Sequence, residues 1–253
     1  MVALSAYLNL LFDDGSFPDR VDRVADLGYE GVEVFGFDQD LAGVADRVAA
    51  NDLEWVYLSG GRPDFTDPLN YEDALESIRA SVEVAAEYDI QNLNVKSGQT
   101  QPNVTHDDQR AAVVRVLEEG GDIAAEQDVT LVLEPLNRHV NHPGHFTATA
   151  AEGAEILREV DHPHVQMLFD CYHEQIMTGD LIRNFRQHVD VIGHVHIADN
   201  PGRHEPGTGE VNYENVLAAI EDSDYDGYVG CEFDPTDFGA IDEILTGIKS
   251  FAP

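Results

Sequence analysis

Four apolar, strand-like runs in the second half of the chain each carry a residue of metal-ligand type at or near their end. LVLEP holds Glu134, MLFD closes on Asp170, HVHIAD carries His196 and VGCEF holds Glu232. Taken singly, an acid at the end of a strand reads equally well as a cap for the helix that follows. Four consecutive runs, all bearing a ligand type, read instead as a divalent metal site. Three carboxylates and one imidazole suit Mg²⁺, Mn²⁺ or Co²⁺ better than Zn²⁺, whose structural sites favour Cys and His. A ligand set that leaves coordination positions open points to catalysis.

Further polar residues cluster around these runs. His173 follows Asp170 in DCYH, within reach of a substrate oxygen, although such a histidine alone would more often cap a helix. Arg203, in DNPGRHEPGTGE, is one of few cations, and a guanidinium can clamp a carboxylate through two parallel hydrogen bonds. Its bland reading is a surface arginine paired with a nearby glutamate. His139, His142 and His145 in NRHVNHPGH give a weaker signal, since loop histidines are usually solvated, but there is room for one to line a pocket. Gly207 and Gly209 permit a tight turn, but GTG is not a phosphate loop, which favours a substrate without phosphate.

Positioning these residues takes a regular scaffold, and the chain supplies one. Eight strand-length apolar runs recur: VALSAYL, GVEVF, LEWVYLS, IQNLNVK, VTLVLEP, VQMLFD, VIGHVHIAD and GYVGCEF. Between them lie segments with the i, i+3, i+4 spacing of amphipathic helices, such as Tyr71–Tyr88 and Ala111–Ala125. Ser16 ahead of Pro18 and Thr105 ahead of an acidic turn read as helix starts, and Gly28 as a helix stop. Eight strand-then-helix units predict a single (β/α)8 TIM barrel over residues 1–253, a length that matches the roughly 250 residues typical of that fold. An open doubly wound sheet would want GxGxxG after its first strand, and SAYLNLLFDDGSF has none. In such a barrel the loops after the strands build the site; the longest here are Ser97–Asn103, Asn137–Thr147 and Asp199–Asn212. Strand parity then turns Asp170 and Glu232 inward, Cys171 and Cys231 outward as reduced core residues, and His194 inward one layer below His196.

Forty-nine acidic against fourteen basic residues give a net charge of −35. Such a surface repels nucleic-acid phosphates and anionic membranes, so neither is expected as a partner. Lysine occurs only at Lys96 and Lys249, while Asp and Glu crowd the helical segments, a bias that resembles proteins of salt-loving organisms. With 43% hydrophobic residues and a regular apolar pattern the chain has a core to bury, which sets it apart from acidic disordered chains. No run approaches the ~20 apolar residues of a membrane span, and the N-terminus lacks the marks of a secretory signal, so a cytoplasmic protein is expected. Assembly into a homo-oligomer is left open.

The segment IGHVHIADNPGRHEPGTGEVNYENVLAAIEDSDYDGYVGCEFDP resembles the C-terminal signature of the hydroxypyruvate isomerase family, within the xylose-isomerase-like sugar isomerases and epimerases. LEPLN, FDCYH and SAYLNLLF are similar as well, so the resemblance spans the chain. It implies one divalent metal ion on Glu134, Asp170, His196 and Glu232, with Glu134 and Glu232 also acting as the acid/base pair and His173 and Arg203 touching substrate. Two departures are visible: close members can carry Gln in place of His196, and the Asn137–His145 loop is longer and richer in His. The implied chemistry is proton transfer through an enediolate, on hydroxypyruvate and tartronate semialdehyde as substrates. A ketose 3-epimerase is the nearest alternative. A metal-dependent phosphodiesterase of apurinic-endonuclease type and a non-catalytic sugar-binding protein are more distant ones.

Overall fold

Successive side chains of a strand point to opposite faces, and this chain uses that alternation to divide a buried sheet into two interiors. The computed structural model describes residues 2–59 and 64–251, so Met1, Ala252 and Pro253, the ends of the expected domain, lie outside it. Its strands are β1 (Ala3–Tyr7), β2 (Gly31–Phe35), β3 (Glu54–Ser59), β4 (Asn92–Val95), β5 (Thr130–Leu133), β6 (Val165–Asp170), β7 (Ile192–Ile197) and β8 (Tyr228–Cys231). They pair in parallel in chain order and close, β8 on β1, into the predicted (β/α)8 barrel.

Outward positions such as Val32, Val34, Leu131, Leu133, Val195, Val229 and Cys231 join one large apolar cluster with residues of the surrounding helices. At ~25 cal/mol per Å² of apolar surface, this layer between sheet and helices is the main driving force for closure. Inside, Tyr7, Tyr57, Val132 and Leu168 form a smaller cluster. Ser5, Glu33, Asn94, His194 and His196 are buried as well.

The helices are α1 (Leu8–Leu11), α2 (Phe17–Asp26), α3 (Leu41–Ala50), α4 (Tyr71–Glu87), α5 (His106–Ala125), α6 (Ala150–Val160), α7 (Cys171–Met177), α8 (Leu181–His188), α9 (Tyr213–Glu221) and α10 (Ile241–Ile248). Ser16 starts α2 through a reciprocal capping box with Asp19, Thr105 caps α5, and Gly28 follows α2 with φ +71°. The fifth helix starts at His106, directly after the expected cap Thr105; its first turn is acidic and exposed, so the apolar period begins only further along. Cys171 corrects an expectation: it opens α7 rather than lying within a strand. Both cysteines are buried and unpaired, and the Cys231 sulfur lies 3.7 Å from the Tyr29 hydroxyl. Among the described residues no helix is long and apolar enough to cross a membrane.

Candidate metal centre

One ligand atom from each of Glu134, Asp170, His196 and Glu232 lies within 4.8 Å of the other three, and all four residues are buried. The strand ladder explains their aim. The Glu134 N–H donates to the Val95 carbonyl at 3.1 Å and the Glu232 N–H to that of Ile197 at 3.3 Å, so each acid continues the sheet by one residue and keeps inward parity. Asp170 pairs in register with His196, and His196 with Gly230. Asp170 also accepts the N–H groups of Tyr172 at 2.7 Å and His173 at 3.1 Å. Oδ1 of Asp170 thus caps α7, as the helix-cap reading expects, while Oδ2 lies 3.4 Å from Arg203 Nη2 and 3.6 Å from His173 Nε2.

His196 is held from behind by Glu33, a fully buried acid of β2. Its Nε2 lies 2.7 Å from Glu33 Oε2, while Glu33 Oε1 meets His194 Nε2 at 3.0 Å and accepts from the Ser5 hydroxyl at 2.5 Å. Burial pushes the Glu33 carboxyl up, but the two imidazoles outweigh it and hold it down to about 2. For His196, burial is outweighed by Glu33 and Glu232, and the imidazole is held well above its ordinary value. With Nε2 committed to Glu33, Nδ1 is the nitrogen turned to the cluster, 3.0 Å from Glu232 Oε2 and without a hydrogen bond of good geometry. A buried polar atom left unsatisfied is costly, and here it lies among three carboxylates. The donor set therefore fits a divalent cation. Ligating histidines commonly give their other ring N–H to such a carboxylate.

The sequence reading overlooked Glu33. Its signal was a lone acid between two valines in GVEVF, which inward parity leaves no route to water.

Arg203 lies over the carboxylates, with Nη2 bonded to Glu232 and 3.4 Å from Asp170 Oδ2. Burial raises the Glu232 carboxyl, but Arg203 and His196 outweigh it and hold it well below the usual carboxylate range. For Asp170 burial prevails and the pKa is raised. Arg203 sits in left-handed backbone, φ +61°, on a loop braced by buried Asp199. Asp199 accepts the N–H groups of Gly207 and Gly209 at 2.9 Å each and that of Val211 at 3.1 Å. The GTG turn thus closes on a protein carboxylate. The Arg203 Nε is buried without a partner.

His173 is oriented by the loop after β5. Its Nδ1 accepts the Asn137 backbone N–H at 3.2 Å, which leaves the ring proton on Nε2, 3.6 Å from Asp170 Oδ2 and 3.9 Å from Glu134 Oε1. Burial pushes this imidazole down to about 3, so it is a neutral donor aimed at the cluster. Beside Glu134, Lys96 reaches Asn94 Oδ1 at 2.7 Å and Glu134 Oε2 at 3.6 Å. A cavity of about 430 Å³ opens there, lined in part by Lys96, His142 and His145. His139 is exposed.

The family model described as xylose isomerase-like TIM barrel matches residues 21–251. The chain belongs to that family. Hydroxypyruvate isomerase of Escherichia coli K12 is 32% identical over 93% of this chain and 94% of its own length. The 2-oxo-tetronate isomerase of Cupriavidus necator is 30% identical over the same shares. Among solved structures, an AP endonuclease, family 2, from Brucella melitensis is similar at a TM-score of 0.89 and 25% identity, covering the whole of both chains. In this xylose isomerase-like barrel Glu134, Asp170, His173, His196, Arg203 and Glu232 lie together at one site. Glu33, Asn94 and Lys96 join them, and none of these three had been assigned a role.

Proposed function

We propose that the protein is a divalent-metal-dependent isomerase of small hydroxy-carbonyl compounds, with hydroxypyruvate and tartronate semialdehyde as the substrate pair. The observation that carries this is the convergence of Glu134, Asp170, His196 and Glu232 within 4.8 Å, in a chain about one-third identical to a hydroxypyruvate isomerase. Mg²⁺, Mn²⁺ or Co²⁺ on these four residues would polarise the carbonyl and the adjacent hydroxyl of the substrate.

The protein's own groups handle the protons. Glu232, kept ionised by Arg203, would take the C3 proton of hydroxypyruvate, leaving its electron pair in an enediolate. Glu134 would return a proton to C2 from the other side, while the hydroxyl proton passes from the C3 oxygen to the C2 oxygen. The Nε2–H of His173 and the unpartnered Nε–H of Arg203 are donors free to orient substrate oxygens. Return of the proton to the opposite face of its original carbon would be epimerisation, so the stereochemistry and position of label separate the two reactions.

The test is a substrate panel of hydroxypyruvate, tartronate semialdehyde and neutral ketoses in D₂O and molar KCl, with Mg²⁺, Mn²⁺ or Co²⁺ or with EDTA, followed by NMR. Metal-dependent isomerisation of the three-carbon acids, with deuterium entering at carbon, is expected. Epimerised ketose alone would move the assignment to a ketose epimerase, and indifference to EDTA would remove the metal from the reaction. Glu232→Gln should lower turnover by at least ~100-fold, the lower end of what a general base contributes; near-normal rates would refute its role. Cleavage of DNA is disfavoured by a net charge of −35, which opposes any phosphate-binding groove.

A further inference from the structure

The sequence reading made Arg203 the clamp for a substrate carboxylate. In the structure the Nη2 of that guanidinium is engaged by Glu232 and Asp170. A second cation stands beside Glu134. Lys96 is one of two lysines in a chain with 49 acidic residues, and the other, Lys249, donates to the carbonyls of Leu27 and Gly28 at the end of α2. Lys96 follows β4 with the inward parity of Asn92 and Asn94. Asn94 bridges the two charges, accepting from Lys96 Nζ at 2.7 Å and donating to Glu134 Oε2 at 3.2 Å. The ammonium has two contacts in the site and three protons to give, and its side chain is one-third exposed, toward the 430 Å³ cavity.

Apart from Asp64, the rest of that lining is apolar or neutral, which suits a short carbon chain held at Lys96. Phe35 and Leu136 are apolar. His145 is held near 3 by burial and by neighbouring cations and His142, so it is neutral, and burial lowers His142 as well. Asp64 also lines the cavity, but one of its oxygens accepts the Gln99 N–H at 3.0 Å. Lys96 is thus the cation among the described residues of the lining, and it stands beside a candidate acid/base residue. A volume of 430 Å³ falls within the ~300–1,000 Å³ of small-ligand clefts.

We infer that Lys96 and this cavity form the subsite for the substrate's carboxylate, which makes the enzyme selective for short hydroxy-oxo acids over neutral ketoses. This rests on the isomerase reading for its substrate class, but its test does not depend on turnover. Calorimetry with Mg²⁺-loaded wild type, Lys96→Met and Lys96→Arg would compare D-glycerate, an unreactive three-carbon hydroxy acid, with glycerol as its neutral counterpart. Lys96→Met should weaken glycerate binding ~10–100-fold, the range for a hydrogen-bonded charge, with glycerol unaffected and Lys96→Arg restoring much of the loss. Equal glycerate affinity in wild type and Lys96→Met, or no glycerate binding by wild type, would overturn the subsite. So would a parallel loss for both ligands, since that is what a lysine merely balancing Glu134 would give. Lys96-dependent glycerate binding by a protein that isomerises no hydroxy-oxo acid would instead overturn the isomerase reading and leave the subsite standing.

Discussion

Glu33 shows how much one buried side chain can decide. It has no direct place in the four-residue cluster, yet it fixes which nitrogen of His196 faces that cluster and holds two imidazoles on one carboxylate. Removing a partner from a buried charge pair is expensive, about 3–5 kcal/mol, because the remaining charge is stranded. Glu33→Ala should therefore lower unfolding free energy by that order in urea titrations. Glu33→Gln preserves shape but removes the anion, and Mn²⁺ affinity should fall ~10–100-fold by calorimetry, the usual effect of losing a ligand's outer partner. Unchanged affinity would mean that His196 needs no such orientation. Histidine and acid types at strand ends made the cluster legible from sequence, but Glu33 and Lys96 gained meaning only when strands distant in sequence came together.

At the scale of elements, the packing of β8 against β1 and β7 controls the same site. Gly230 faces inward between β1 and β7, where a methyl group would run into Glu33 Oε1 and lie 2.8 Å from His196 Cδ2. Gly230→Ala should cost roughly 1–3 kcal/mol, the range for overpacking a filled interior, and the loss should appear together with weaker Mn²⁺ binding. Gly247 in α10 is the control, since a methyl group there meets nothing within 4 Å, and Gly247→Ala should leave stability unchanged or slightly raised. A Gly230→Ala protein as stable as the Gly247→Ala one would contradict the close approach. The boundaries of α2 and α4 were readable because caps and apolar periodicity are local signals. The start of α5 was readable from its cap, Thr105, alone, since an exposed acidic turn lacks that period, and the helical place of Cys171 was not readable, since a cysteine fits either element.

Over the whole molecule the charges are sorted by depth. Cations are concentrated in ion pairs, such as Arg23 with Asp242, Arg110 with Glu159 and Arg158 with Asp190, and at the site, while the excess acids are left in solvent. Exposed pairs of this kind contribute little individually, so the dominant electrostatic effect is repulsion summed over a charge of −35. Raising salt from about 0.1 M to 1 M shortens the screening length from ~10 Å to ~3 Å. The melting temperature should therefore rise between dilute and molar KCl in differential scanning calorimetry; an identical value in both would sink the proposed adaptation to salt.

The sequence by itself determined the eightfold alternation, the inward parity of the strands and the ligand types at their ends, because periodicity and residue chemistry are carried by neighbouring residues. Tertiary structure decided what those residues do to one another. Closure of β1 to β8 put Glu33 behind His196, turned Arg203 onto Asp170 and Glu232, and left Lys96 facing a cavity. Side-chain contacts between residues far apart in sequence, such as Glu33 with His196 and Arg203 with Asp170, set these charges and proton positions, and spacing along the chain does not encode them.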